Sequence, residues 1–225
     1  MADPASHAEP DPQHMLLERM LFFSDAVFAI VLTLLALELR MPAGFDDAHL
    51  LEGLAEMKSE LIAFGVSFAI VGVFWLAHLS VLRAVASFDW VLTAVNLVFL
   101  FTVTVTPFVA TLVGADGTTG NAWRLYCLAM VAISAMLCAL LLVSHRDEER
   151  LLHEAHHGRL AYRMVRAGAP GIAFAIGFFM SLEDWRIAAS VCWLLVPLIM
   201  LAARLLEPRK AKPAPPAPPA ESTPS

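Results

Sequence analysis

The chain has 225 residues, of which 59% are hydrophobic and 16% are charged, with a formal net charge of −6. Its mean hydropathy is +0.69. Water-soluble domains carry about 25% charged residues, so this composition excludes an ordinary soluble domain. The chain is therefore expected to be an integral membrane protein, and we expect no nucleic-acid partner.

Six apolar runs follow one another along the chain, and most reach the ~20 residues that a helix needs to cross a bilayer. They lack alternating polarity, so they predict helices and not barrel strands. The fold class expected is all-α, a polytopic membrane protein with six transmembrane helices. The runs cover residues 20–39, 61–82, 90–113, 125–143, 167–182 and 187–206.

The ends of the chain differ from the apolar runs in composition. Residues 1–15 are polar, acidic and contain proline, which predicts a disordered N-terminus. Residues 16–207 are expected to form the six-helix domain. Residues 208–225 are rich in proline and predict a disordered tail. The first run is too long for a cleavable signal peptide, and Asp25 interrupts it.

The connections and the cysteines point to no metal or disulfide chemistry. Pro42 and Gly44 end the first helix, and the apolar residues between 50 and 57 predict a short amphipathic turn on the membrane surface. The three cysteines all fall inside predicted spans, where they are expected to be small buried hydrophobic residues. We therefore expect no cofactor and no resident metal.

Basic residues are distributed unevenly between the two sides that six spans would create. Only Arg40, Lys58, Arg124 and Arg186, out of fifteen lysines and arginines, fall on the side opposite the termini. The positive-inside rule then predicts that both termini are cytoplasmic. The expected location is the cell membrane, which the chain crosses several times.

The first apolar run carries both polar residues and an apolar stripe. Ile30, Thr33, Leu34 and Leu37 have the i, i+3, i+4, i+7 spacing of one helix face. Such a stripe by itself ordinarily indicates packing or lipid contact. Ser24 and Asp25 lie well round the helix from Ile30, so they are expected to face the interior of the subunit.

The start of this run also carries a motif. Arg19, Phe23, Ser24 and Asp25 form the pattern Arg-x-x-x-Phe-Ser-Asp, which resembles the motif of the transmembrane protein 175 family of potassium channels. Further along, Trp75 and His78 are similar to the Trp-x-x-His element of that family. Asn96, with the apolar run that ends in Thr106 and Pro107, fits its third helix. The resemblance covers residues 17–112.

The resemblance implies a specific architecture and activity. Prokaryotic members of the family are tetramers of six-helix subunits, and the first helix of each subunit lines a central pore. Carried over, the constriction falls on Ile30, Leu34 and Leu37, with Thr33 beside them. The resemblance therefore implies a homotetrameric potassium-permeable channel with a hydrophobic gate, and no enzyme. Thr102–Thr106 shows only a passing likeness to a carbonyl filter, and we expect its hydroxyls to bond back to their own helix.

The remaining polar residues are then expected to be scaffolding. We predict a hydrogen-bonded network that joins Asp25 to His78, with Arg19 and Trp75 or Asn96 taking part, because an unpaired buried charge is costly. Phe23 and Ser24 belong to the same group through the motif. The alternative is a proton relay through Asp25 and His78, as in proton-coupled or proton-conducting transporters.

Two further classes stay open. His153, Glu154 and His157 match the His-Glu-x-x-His pattern of zinc proteases, but they fall in a charged connection where a solvated loop is the simpler interpretation. A membrane protein with a structural or regulatory role that conducts no ions is the other class.

Overall fold

The computed structural model describes residues 12–40, 49–116, 120–146, 160–183, 185 and 191–205. Within these residues the regular structure is helical, with no strand. The helices are α1 (Pro12–Leu37), α2 (Leu50–Glu56), α3 (Lys58–Leu82), α4 (Trp90–Thr104), α5 (Thr106–Asp116), α6 (Asn121–His145), α7 (Leu160–Leu182) and α8 (Leu195–Leu205).

Five helical segments of the described chain are long and apolar enough to cross a membrane: Pro12–Leu37, Lys58–Leu82, Trp90–Ala115, Asn121–His145 and Tyr162–Leu182. The all-α polytopic fold class is therefore confirmed. Of the sixth predicted run, residues 187–190 and 206 lie outside the described residues. Its described part is a turn of 3₁₀-helix, Cys192–Leu194, followed by α8.

One helix begins earlier than predicted, and one predicted turn forms a short helix. α1 begins at Pro12, four residues before the expected boundary at residue 16, because proline is favourable in the first turn of a helix, where its missing N–H group is not needed. Residues 1–11 and the proline-rich tail lie outside the described residues. The amphipathic turn predicted between 50 and 57 forms the helix α2, in which Leu51 is largely exposed.

The third predicted run is divided into α4 and α5. Pro107 has no N–H group, and its ring meets the carbonyl four residues earlier, so the α-helical ladder breaks next to it. The Thr102 hydroxyl donates to the carbonyl of Phe99 at 2.6 Å, and the Thr104 hydroxyl donates to that of Phe101 at 2.7 Å. Thr102 and Thr104 bond back to their own helix, as expected, whereas the buried Thr106 hydroxyl has no hydrogen-bond partner among the described residues.

The core is centred on α6, whose residues Met130, Ile133, Leu137, Leu140 and Leu141 are fully buried. α7, α4 and α5 pack around this helix. α1 lies at the edge of the bundle and packs on α3, α4 and α5. The described helices cover one face of α1 and leave its other face exposed.

The side chain of Ser134, on α6, makes two hydrogen bonds to the backbone of α7. The Ser134 hydroxyl donates to the carbonyl of Ala167 at 2.6 Å and accepts the N–H of Gly171 at 3.1 Å. In an uninterrupted helix, that N–H group would bond to that carbonyl. The hydroxyl therefore occupies the gap beside Pro170, which removes a further donor from the same turn.

Gly171→Ala is expected to lower the free energy of unfolding by about 1–3 kcal/mol, because overpacking forces the neighbouring helices apart. A Cβ atom on Gly171 would lie 2.7 Å from both the Cβ and the Oγ atom of Ser134. The measurement is thermal unfolding of the purified protein in detergent.

Gly168→Ala, on the same helix, is the matched control for this substitution. Its Cβ atom would lie 3.9 Å from the Cys138 sulfur, an ordinary contact, so we expect no loss of stability. The double variant Ser134→Gly, Gly171→Ala should recover part of the loss. Equal melting temperatures for G168A and G171A would contradict the close contact.

Candidate functional site

The two faces of α1 have opposite environments. Ile30, Leu34 and Leu37 are 57%, 41% and 68% exposed. Phe28 and Val31, on the other face, are buried against the bundle. The predicted stripe is therefore not covered by the described helices of its own subunit. In a membrane, such a surface faces lipid, a neighbouring subunit or a pore.

Thr33 adds a polar atom to the uncovered face. Its side chain is exposed, and its Oγ1 atom donates a hydrogen bond to the Ile30 carbonyl at 2.8 Å. Because the hydroxyl hydrogen is used in this bond, the oxygen offers its remaining lone-pair capacity to a ligand. An oxygen with that role is suited to a cation and not to an anion.

A buried hydrogen-bonded chain attaches the other face of α1 to α3 and α4. The Asn96 amide donates to the Ser24 hydroxyl at 2.9 Å, and Ser24 donates to the Met20 carbonyl at 2.8 Å. His78 Nε2 lies 2.7 Å from the Asn96 Oδ1 atom. Since the amide oxygen only accepts, His78 is the donor. Each of these hydrogen bonds has both its donor and its acceptor inside the protein.

Two phenylalanines hold the His78 ring. The Phe99 ring stacks on it at 4.9 Å with an interplanar angle of 8°, and the Phe28 ring lies tilted at 5.5 Å. Phe28 belongs to α1 and Phe99 to α4, so the imidazole on α3 is the centre of a contact among three helices. Neither phenylalanine is among the residues that the sequence motifs indicate. Their spacing was the available signal: Phe28 is four residues after Ser24, and Phe99 is three after Asn96.

Asp25 makes a separate attachment. The Trp75 indole N–H donates to the Asp25 Oδ1 atom at 2.9 Å, and both side chains are half-buried. Among the described residues no hydrogen bond joins Asp25 directly to His78. The anchor of α1 thus consists of two parts, the Ser24–Asn96–His78 chain and the Asp25–Trp75 pair.

The structure leaves two residues of the predicted network outside this anchor. Arg19 and Phe23 are both exposed on α1. No hydrogen bond in the described part of the chain connects Arg19 to Ser24 or Asp25.

The zinc-protease pattern at His153, Glu154 and His157 lies outside the described residues. Within the residues that the structure does describe, no group of three or more His, Cys, Asp or Glu side chains is arranged to hold a metal ion.

These features define a polytopic α-helical membrane protein whose first helix is tied to the bundle by buried polar groups and keeps an uncovered apolar stripe. Residues 19–107 match the family model described as the endosomal/lysosomal potassium channel TMEM175. This match confirms the resemblance to the TMEM175 family that the motif at Arg19–Asp25 predicted.

Individual relatives agree with this assignment. A potassium channel of Streptomyces collinus is 34% identical over 122 residues, which are 52% of this chain and 59% of the relative. The chain thus matches somewhat less than two thirds of that protein. The human endosomal/lysosomal proton channel TMEM175 is 26% identical over 171 residues, which are 72% of this chain and 34% of the relative.

A solved structure shares the fold. The crystal structure of a lysosomal potassium-selective channel TMEM175 homolog from Chamaesiphon minutus superposes with a TM-score of 0.69. The alignment covers 84% of this chain and 98% of that chain at 24% sequence identity. At this identity the likeness concerns the fold.

Proposed function

We propose that the chain is the subunit of a potassium-permeable cation channel, in which copies of α1 surround a pore. The observation that carries this proposal is the division of α1 into an anchored face and an uncovered apolar face with a threonine oxygen on it. The names of the bacterial relatives support the same activity. Ion conduction needs no enzymatic chemistry, and we propose none.

The stripe Ile30, Leu34 and Leu37 forms the proposed constriction. When rings of such side chains are narrow, they exclude water and with it ions, and when they widen they admit a partly dehydrated cation. Potassium loses its hydration shell at a lower cost than sodium, so an apolar constriction favours potassium. The Thr33 oxygens supply some of the ligands that replace the shell.

Ser24, Asn96 and His78, together with Asp25 and Trp75, then act as positioning groups. They set the rotation of α1 about its own axis, because the bonds come from α3 and α4 on one side only. A rotation of one residue, about 100°, would move the stripe away from the axis. Arg19 and Phe23 lie on the uncovered side of α1, in its N-terminal half.

A single copy of α1 encloses no pore, so the proposal requires an oligomer around one axis. The resemblance to the prokaryotic family members supports a homotetramer. We further propose that the protein lies in the cell membrane with both termini in the cytoplasm, which the distribution of arginine and lysine supports.

The test is cation flux from liposomes that contain the purified protein, with the oligomer mass determined in the same detergent. A potassium gradient should drive faster flux than a sodium gradient, and the mass should correspond to four chains. Absence of flux for both cations from an intact tetramer would contradict the proposal and favour a role without conduction.

Proton conduction through Asp25 and His78 is the second candidate, and the name of the human relative favours considering it. The hydrogen bonds around these residues oppose a relay. His78 is connected to α1 through the Asn96 amide, and Asp25 is bonded to the Trp75 indole N–H. Neither the amide nor the indole acts as an acid or a base at physiological pH, so neither relays a proton. We therefore assign Asp25 to the anchor.

Asp25→Asn separates the two candidates. Asparagine retains an oxygen that accepts the Trp75 N–H, so we expect an assembled protein with potassium flux and proton leak close to those of the wild type. Asp25→Leu leaves the indole without its acceptor and should lower the free energy of unfolding by about 1–3 kcal/mol. A pH-sensitive dye inside the liposomes reports the leak. Proton flux that disappears in D25N while potassium flux persists would support the relay instead.

A further inference from the structure

The last turns of α3 and α6 and the first turn of α7 meet at one arginine, Arg163. The Arg163 Nη2 atom of α7 donates to the Ser80 carbonyl at 2.9 Å and to the Val81 carbonyl at 3.4 Å. These carbonyls lie in the last turn of α3, where the regular helical bonds run out, and the Val81 carbonyl also accepts the N–H of Ala84 at 3.2 Å. Arg163 therefore caps α3 from a neighbouring helix.

The same guanidinium reaches a histidine of α6. The Arg163 Nη1 atom lies 3.5 Å from the His145 Nε2 atom. An arginine can only donate, so this contact exists only when Nε2 carries a lone pair. The other ring nitrogen, Nδ1, lies 2.9 Å from the Leu141 carbonyl, to which it donates. The bonds thus select the neutral imidazole with its hydrogen on Nδ1.

Protonation of His145 would remove the acceptor and place a second positive charge beside the guanidinium. The other described charged groups in this region offer no compensation. Arg146 follows in the chain and is paired with Asp89 at 2.9 Å. Arg166 is one turn from Arg163, and its guanidinium lies over the Tyr162 ring at 6.0 Å. The Asp89 carboxylate is already occupied by Arg146 and by the N–H of Leu92, which bonds to the same Oδ2 atom at 3.1 Å.

We propose that His145 and Arg163 form a proton-sensitive latch, defined as the contact of the His145 imidazole with the arginine that caps Ser80 and Val81. A proton taken up by the imidazole on the side of the membrane where α3 and α6 end opens the latch, and its release closes the latch. The latch contacts the same part of α3 that positions α1, because His78 is only two residues before Ser80. Opening it releases the end of α3 and shifts the anchor of the pore helix.

The consequence for ion flux rests on the proposed channel function, whereas the latch itself does not. The direct test is hydrogen–deuterium exchange of the amides at Arg83, Ala84 and Val85, which bond to the last carbonyls of α3. Exchange is measured at about pH 7.5 and pH 5.5 and corrected for the intrinsic pH dependence with an unstructured peptide. Protection in the wild type should fall by about tenfold at acid pH, the order expected for loss of a charge-assisted hydrogen bond.

Three variants complete the test. His145→Gln keeps a neutral oxygen that accepts from Arg163 at both pH values, so its protection should stay constant. Arg163→Gln removes the cap and should show low protection at both. His14→Gln changes an exposed histidine that is paired with Glu18 on α1, and it should behave as the wild type does.

Constant protection in the wild type, or a fall in H145Q equal to that of the wild type, would overturn the latch. A flux assay with acid applied to one side of the liposome membrane at a time gives the functional arm. Acid applied on the side of the membrane that carries His145 should change the flux through the wild type and not the flux through H145Q. Absence of flux throughout, combined with the expected exchange pattern, would contradict the channel function and leave the latch standing.

Discussion

Replacing Leu34 with aspartate is expected to raise cation flux and to change the preference for potassium over sodium. Leu34 lies in the middle of the proposed constriction and is 41% exposed in the isolated subunit. A ring of carboxylates at this depth hydrates the constriction, so an ion no longer passes through an apolar gap. Lowering the barrier by about 1.4 kcal/mol is enough for a tenfold increase in flux. The measurement is flux of each cation from liposomes.

Leu128→Asp on α6 is the matched control, because Leu128 is a leucine with a similar exposure of 51%. A carboxylate there should impair insertion or assembly without altering the ion preference of the channels that do form. Leu34→Ala serves as a milder variant, in which the constriction widens without a charge. An assembled L34D protein whose conductance and selectivity equal those of the wild type would show that α1 does not line the pore.

Asn96→Leu is expected to have the largest effect on stability, lowering the free energy of unfolding by about 2–4 kcal/mol. Asn96 is completely buried, donates to Ser24 and accepts from His78. Leucine has a similar volume, but it leaves the His78 N–H without an acceptor in the interior, and such groups are costly. The melting temperature in detergent should fall by roughly 5–10 °C, and the fraction of assembled oligomer should fall with it.

Asn121→Leu tests whether this loss belongs to the buried position. Asn121 is an exposed asparagine in the first turn of α6, and its substitution should change the free energy of unfolding by no more than about 0.5 kcal/mol. If N96L and N121L melted at the same temperature, the Ser24–Asn96–His78 chain would have no role in holding α1.

Several elements of the fold were accessible from sequence because they depend on local properties. Span length and apolar content identify α1, α3, α6 and α7, and the 3.6-residue period separates the stripe at Ile30 from Ser24. The division of the third run was less obvious, although Pro107 was the signal for it. The motif beginning at Arg19 predicted the family, but the exposure of Arg19 does not follow from the motif.

The pairing of polar groups was not accessible in the same way. Asp25, Trp75, His78 and Asn96 were all selected as one network, and the structure divides them between two attachments. Which partner a side chain meets depends on the relative rotation and height of two helices. A rotation of a few tens of degrees exchanges one partner for another, and no local pattern encodes it.

By itself, the sequence determined that this is an integral membrane protein, that it is built from helices, and that its first helix has an apolar stripe and a polar side. These follow from composition and periodicity, which act within one segment. Only the tertiary structure decided that the described helices leave the stripe uncovered, that Ser134 bonds to the backbone of α7, and that Arg163 joins His145 to the end of α3. Those contacts link residues 18 to 83 positions apart, and they arise from how whole helices pack against one another.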